Sequence, residues 1–437
     1  MTSYSDEPAT INADPVSAGE RLPCLDALRG VAVLGILVMN IYAFAMPFPA
    51  YSNPLIMGGT GALDIGTWFV THILFDQKFM SIFSMLFGAG MILMMNRAES
   101  RGAAFGPIYY RRTFWLLLIG MLHGYLIWFG DILFHYALMG MIIFAFRKAS
   151  PKSLIAIACA ILPITLLINF ASSFYIEDLQ SQVVEIQQIE SAGTALDESQ
   201  QKKLEEWNEM RPFFAPSDAE VQEDVDAHRG QYADVLAHRV PFVVFMQVNL
   251  TLVIILWRVG GMMLIGMALM KLGVLSGERS TRFYSKMALW SYGLGLPLTI
   301  FSAAILNAHD FDPLYVARIG GIPNYVGSIL VAFGHIAAVI LIVRSGVLRG
   351  IVERFAAVGR MALSNYLMHS VVMTTIFYGY GLSLYAEVPR FWQQGFVVGL
   401  ISLQLLLSPW WLRRFNFGPV EWLWRSLTYG QRQPMRR

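Results

Sequence analysis

The chain has only two cysteines in 437 residues, Cys24 and Cys159. Two thiols cannot build a disulfide framework, and neither has a second ligand at metal-binding spacing, so both read as packing residues. Charge is scarce as well: Asp, Glu, Lys and Arg make up 14% of the chain, against roughly 25% in soluble domains. The formal net charge is +2, which argues against a nucleic-acid partner. No phosphate-binding glycine loop, no metal-spaced set of ligands and no serine nucleophile elbow occurs, so no metal is expected. What fills the chain is apolar: 56% of its residues are hydrophobic, the composition of a protein whose solvent is a lipid bilayer.

Apolar runs lie at 27–48, 66–96, 110–129, 131–147, 153–174, 241–275, 287–306, 322–344, 359–380 and 391–412. The expected fold is an all-α, polytopic membrane bundle of about ten transmembrane helices. Runs 66–96 and 241–275 exceed one upright crossing, at about 1.5 Å of rise per residue over a core of roughly 30 Å. Asp76-Gln77-Lys78 interrupts the first and Arg258-Val259-Gly260-Gly261 the second. With ten spans every basic cluster falls on one side, among them Arg97 to Arg112, Arg147 to Lys152, and Arg413 with the tail. Lys and Arg mark cytoplasmic loops, so both termini are expected in the cytoplasm.

Residues 1–20 read as a disordered polar lead, 21–174 as membrane helices 1–5, and 241–437 as helices 6–10 with a basic cytoplasmic tail. Between them, 175–240 holds fifteen Asp or Glu against five Lys or Arg. This segment is expected as an acidic, helical, extracytoplasmic loop, either a solvated hairpin or a lid over a substrate entrance.

Thirty-four nearly unbroken apolar residues separate Arg112 from Arg147, enough for two crossings. Gly130-Asp131 is the natural turn, with Asp131 accepting backbone N–H bonds from the next helix. His123 precedes this turn and His135 follows it, on the face of Asp131. Ionisable groups in a span are costly and face the bundle interior or a cavity. The three are therefore expected around a pocket in the outer half of the membrane, in the company of Tyr125 and Trp128. A neutral imidazole hydrogen-bonded between helices is the structural alternative for His123; a base oriented by Asp131 is the functional one.

Other polar groups form a second tier. Asn40 ends the polar face of the first helix, which begins with Asp26 and Arg29. Asn365 and His369 are four apart in "GRMALSNYLMHSV" and share a face, with Arg360 near the cytoplasmic end. His335 reads as an interhelical hydrogen-bonding residue, and Asp76 and Lys78 are close enough to pair. "FSMLFGAGMILMM" and "GGMMLIGMALM" read as close helix packing, which also permits a homodimer.

Five stretches, "RLPCLDALRGVAVLGILVMNIYAFAMP", "FDQKFMSIFSMLFGAGM", "LHGYLIWFGDILFHYALMG", "GRMALSNYLMHS" and "FNFGPVEWLWRSLTYG", span residues 21 to 430. Together they resemble the YeiB-like family of bacterial inner-membrane proteins. "LDALRG" is also similar to the opening of transmembrane acyltransferases, including heparan-glucosaminide acetyltransferases and the acyltransferase-three O-acetylases. That similarity implies a bundle moving an acyl group from acetyl-CoA in the cytoplasm to a hydroxyl or amine of an extracytoplasmic acceptor. It also implies that Arg29, with Arg97, Arg111, Arg112 or Arg360, meets the CoA phosphates. Asn40 stands where the acyltransferase-three pattern has a histidine, and Tyr51 where the heparan type has one. The base must come from elsewhere, and His123 is the candidate, with Asn40 on the oxyanion. A proton-coupled transporter using Asp131, His123 and His369, or a partner-binding scaffold, are the alternatives.

Overall fold

The computed structural model describes residues 22–437, so the lead expected over 1–20 lies outside the described residues. Each of the ten apolar runs forms helix, as a bilayer demands: hydrocarbon offers no partner for a backbone N–H or C=O, and a helix satisfies both within itself. Among the described residues, seven helical segments are long and apolar enough to cross a membrane, and Leu133–Phe146 is a shorter apolar helix. The protein is an all-helical membrane bundle.

Helix α1 (Pro23–Ala45) starts on a proline, whose missing N–H costs nothing in a first turn. Run 66–96 divides at the expected interruption into α2 (Ala62–Leu74) and α3 (Lys78–Ser100), with Gln77 left-handed at φ 61°. Helices α4 (Phe105–Leu126) and α5 (Leu133–Ile143) flank the turn at Gly130-Asp131. Next come α6 (Pro151–Ile161) and α7 (Ile164–Ser191), which runs on into the acidic segment. That segment continues as α8 (Glu198–Met210) and α9 (Asp218–Arg229).

The second interruption does not occur. Helix α10 (Tyr232–Phe245) passes through a π-helical stretch, Met246–Val259, directly into α11 (Gly260–Lys271). Arg258 explains why its polarity does not break the run: its guanidinium donates to the Tyr325 carbonyl at 3.2 Å and to Ser81 and Ser328 at 3.2 and 2.7 Å. The remaining elements are α12 (Thr281–Ala308), the single turn α13 (Pro313–Tyr315), α14 (Ile322–Ser345), α15 (Arg349–Arg360), α16 (Ala362–Phe377), α17 (Arg390–Arg414) and α18 (Pro419–Tyr429).

Two glycine crossings set the bundle's geometry. A Cβ at Gly88 would lie 2.0 Å from the Met263 carbonyl oxygen, and one at Gly266 1.9 Å from that of Met85, so α3 and α11 touch backbone to backbone as the Gly- and Met-rich stretches imply. Likewise a Cβ at Gly30 would lie 1.9 Å from the Phe355 oxygen and one at Gly359 1.9 Å from that of Asp26. Helix α1 is thereby pressed onto α15.

Two sets of polar side chains inside the bundle are bridged. Asp76 and Lys78 are joined through Asn324, which accepts from Lys78 Nζ at 2.8 Å and donates to Asp76 Oδ2 at 2.6 Å. His335 links helices as expected, bonded to the Tyr292 hydroxyl at 2.8 Å and the Leu74 carbonyl at 3.0 Å. In the acidic segment α7 and α8 form a hairpin over Leu179, Val183 and Trp207. Its α9 end is anchored, with Gly379 N–H donating to the His228 carbonyl at 2.8 Å and Arg229 to the Tyr385 carbonyl at 2.6 Å.

Candidate functional site

The α1–α15 crossing sets the neighbours of its two glycines, Arg29 and Arg360, at one cavity. With Arg97, Arg112 and Arg425 they line a space of about 290 Å³ at the basic end of the bundle. Two carboxylates share the lining, and both are engaged. Asp26 accepts from Arg29 at 3.2 Å. Glu421 accepts the Leu363 and Ser364 N–H groups at 2.7 and 3.0 Å, satisfying orphan donors at the start of α16. Arg112 sits over the Trp424 ring, 3.5 Å from its centroid. Among the described residues, five guanidinium groups and two carboxylates line the cavity.

Further in, the lining turns apolar and aromatic and reaches Ile132, Tyr136 and Tyr366. The Tyr366 hydroxyl is tied into the α4–α5 turn, accepting the Ile132 N–H at 3.3 Å and donating to the Gly130 carbonyl at 3.2 Å. Against its ring, at 5.3 Å between centroids, lies His123. Tyr366 is the wall between the arginine cavity and a buried polar relay.

That relay has three members. His123 Nδ1 is 2.7 Å from Asp131 Oδ1, and Nε2 is 2.8 Å from the Ser370 hydroxyl. A carboxylate can only accept, so it selects the tautomer protonated on Nδ1 and leaves the Nε2 lone pair facing Ser370. Asp131 is held in turn by the Phe134 N–H at 2.8 Å, the capping bond that its place at the turn implies. All three are buried, with exposures of 1% for His123, 7% for Asp131 and 0% for Ser370. Hydroxyl, imidazole and carboxylate in this order are the parts of an activated nucleophile.

The chain is 32% identical to "Uncharacterized protein YxaH" of Bacillus subtilis, over 96% of this chain and 97% of that protein. It is 31% identical to "Uncharacterized protein YeiB" of Escherichia coli, over 94% and 96%. The chain belongs to the YeiB-like family. A family model described as "Protein of unknown function (DUF418)" matches residues 269–431. No solved structure matches. The stretches through which the chain resembles YeiB-like proteins converge on this one site: "LDALRG" brings Arg29, "LHGYLIWFGD" His123 and Asp131, "GRMALSNY" Arg360 and Tyr366, and "GPVEWLWR" Glu421, Trp424 and Arg425.

The other expected residues fall elsewhere in this YeiB-like bundle. Arg111 is exposed and does not line the cavity, one helical position away from Arg112, which does. His135 bonds the Asp131 carbonyl at 3.2 Å, so the three ionisable groups pack side by side, and the cavity beside them opens at the basic end rather than in the outer half. Tyr125 donates to Gln247 at 3.1 Å, and Trp128 stacks on Phe44 at 3.9 Å. Asn365 and His369 are spent on α17: Asn365 donates to Ser408 at 3.2 Å and His369 bonds Gln404 at 2.8 Å. Asn40 is half-buried on α1 and lines no part of the cavity.

Four contributors escape the sequence reading. Ser370 follows His369 by one residue, which on a helix turns it through about 100° to the α4 side. Tyr366 shares that face, four residues back. Arg425 and Glu421 belong to α18, an amphipathic helix too short and too charged to stand out among apolar runs.

Proposed function

We propose that this protein is a transmembrane acyltransferase of the bacterial inner membrane, with its basic end in the cytoplasm. It takes an acyl group from acyl-CoA and passes it to a hydroxyl or amine on an extracytoplasmic acceptor. One observation carries the reading: a cavity lined by five arginines ends at Tyr366, directly behind which lies the Ser370–His123–Asp131 relay. Arginine forks suit the phosphates of CoA. The relay lies about 16 Å from Arg112 along α4, counted at 1.5 Å per residue, a depth that suits the thioester at the far end of a long pantetheine arm. The likeness of "LDALRG" to the opening of transmembrane acyltransferases points the same way.

In this reading Tyr366 swings aside and Ser370 Oγ attacks the thioester carbon, its proton passing to His123 Nε2. The C–S bond breaks, the thiolate takes that proton and CoA leaves. The acceptor then attacks the serine ester from the other side, giving its proton to His123, which returns it to Ser370. Asp131 stabilises the imidazolium in both steps. Asn40 has no part in this scheme.

The test is calorimetry of acetyl-CoA against the purified full chain in detergent, beside Arg29→Ala and Arg360→Ala. Saturable binding weakened by each substitution is expected; a folded protein that binds no CoA ends the proposal. Labelled acetyl-CoA should leave a hydroxylamine-labile label on wild type and none on Ser370→Ala. A variant that turns over without the hydroxyl would shift the chemistry to direct attack by the acceptor, with His123 as base.

A transporter is favoured by a different observation, the buried Asp76–Asn324–Lys78 chain beside Arg258 at the α2–α3 break. Proton-driven flux in proteoliposomes without acyl donor would support it.

A further inference from the structure

At the opposite end of the molecule from the arginine cavity, three potential metal ligands meet on the acidic segment. Asp224 and His228 are four apart on α9 and share a face, and His238 reaches them from α10. One nitrogen of each ring and a carboxylate oxygen lie within 4.8 Å of one another. His238 Nε2 is 2.9 Å from Asp224 Oδ1, and His228 Nδ1 is 3.4 Å from the same oxygen. Ligands bound at about 2.0 to 2.1 Å around a tetrahedral ion sit roughly 3.3 Å apart, so these separations are those of a site that closes with small side-chain rotations. The two imidazole rings stand 5.4 Å apart at 77°, close to the spacing of roughly 5 Å that two such ligands adopt on one tetrahedral ion.

The surroundings are built as well. Asp224 Oδ2 accepts the Tyr385 hydroxyl at 2.7 Å, which leaves Oδ1 toward the two histidines. His228 Nδ1 also lies 2.9 Å from the Asp224 backbone carbonyl, and an ion bound at Nδ1 displaces the proton of that bond, leaving the ring protonated on Nε2. Its ring is stacked on Tyr385, at 4.3 Å and 9°. The side chains of Asp224 and His238 keep 22% and 36% of their surface, so an ion can enter from solvent.

We propose that Asp224, His228 and His238 form a binding site for a divalent transition ion of the zinc class. Two imidazoles and one carboxylate suit zinc, copper or nickel and discriminate against magnesium and calcium, which prefer all-oxygen shells. Three protein ligands leave a fourth position for water or an exogenous group. The ion ties α9 to α10 and, through Tyr385, fastens both to the connection between α16 and α17. It therefore fixes how the acidic segment sits on the bundle. The proposal does not depend on the acyltransferase reading.

The full chain, stripped with chelator and dialysed, is titrated with Zn²⁺ and, in parallel, with Mg²⁺. One equivalent of Zn²⁺ should bind and raise the melting temperature, with Mg²⁺ doing neither, and Co²⁺ substitution should give the visible bands of a four-coordinate site. His238→Gln, at a part-exposed position where folding is least at risk, should abolish stoichiometric binding. Tyr385→Phe should weaken it by roughly 10- to 100-fold, as loss of a partner that orients a ligand does. Wild type that binds no Zn²⁺, or His238→Gln that binds as tightly as wild type, overturns the site and leaves a hydrogen-bonded cluster only.

Discussion

Asp131 does two jobs at once: one oxygen caps α5 and the other holds His123. Asp131→Asn keeps the shape and can still accept the Phe134 N–H, but it no longer enforces the Nδ1 tautomer or stabilises an imidazolium. Turnover is expected to fall on the order of 10⁴-fold, with acetyl-CoA binding by calorimetry unchanged; a loss of less than tenfold would remove Asp131 from the chemistry. The partnership of His123 and Asp131 was legible in the sequence because both flank one turn, and a turn brings its flanks together. Ser370 was not, since its contact with His123 bridges 247 positions and nothing local distinguishes a serine facing a histidine from one facing its own backbone. The same limit explains Asn365 and His369: their shared face was right, and the neighbour it meets, α17 rather than a cavity, is a fact of packing.

Among elements, α15 and α1 make the sharpest claim. Gly359→Ala puts a methyl against the Asp26 carbonyl, a contact that backbone alone can relieve. Overpacking of this kind costs about 1 to 3 kcal/mol. Because Arg360 and Arg29 sit beside the crossing, thermal stability and acetyl-CoA affinity should fall together, and a variant that loses neither would show that the helices part easily.

On α9 the cap is the test. Ser217 donates from its N–H and hydroxyl to Glu220 at 2.7 and 2.8 Å, and Arg211 donates to the same carboxylate at 2.7 Å. Burial pushes the Glu220 carboxyl up, but the Ser217 bonds and the Arg211 charge outweigh it and hold the group below its ordinary value. Its contribution is therefore complete above the unfolded pKa of about 4.3 and is lost as pH falls through the lower folded value. Protection factors of the α9 amides, each rate taken against the intrinsic rate at the same pH, should stay high at neutral pH and fall below pH 4; in Glu220→Gln they should be lower at neutral pH and lose that dependence. The boundaries of these elements were easier to read than their internal form. Every apolar run was found, while the uninterrupted passage through Arg258 was hidden because its three hydrogen-bond acceptors lie on α3 and α14.

At the scale of the whole molecule, the arginine-lined cavity, the start of α1 and the C-terminal tail share one end. If that end faces the cytoplasm, tags on both termini should resist protease added to intact spheroplasts, and a cleavage site inserted at Gly193, in the exposed α7–α8 connection, should be cut. The reverse pattern would invert the direction of transfer. Tyr366 has a consequence for the cell's energy supply as well. The arginine cavity on one side and the buried His123–Asp131 pair just behind its wall are parts of a proton path, and this aromatic plug, 4% exposed, separates them. Tyr366→Gly joins the two, and cells expressing it should lose membrane potential under conditions in which wild type holds it.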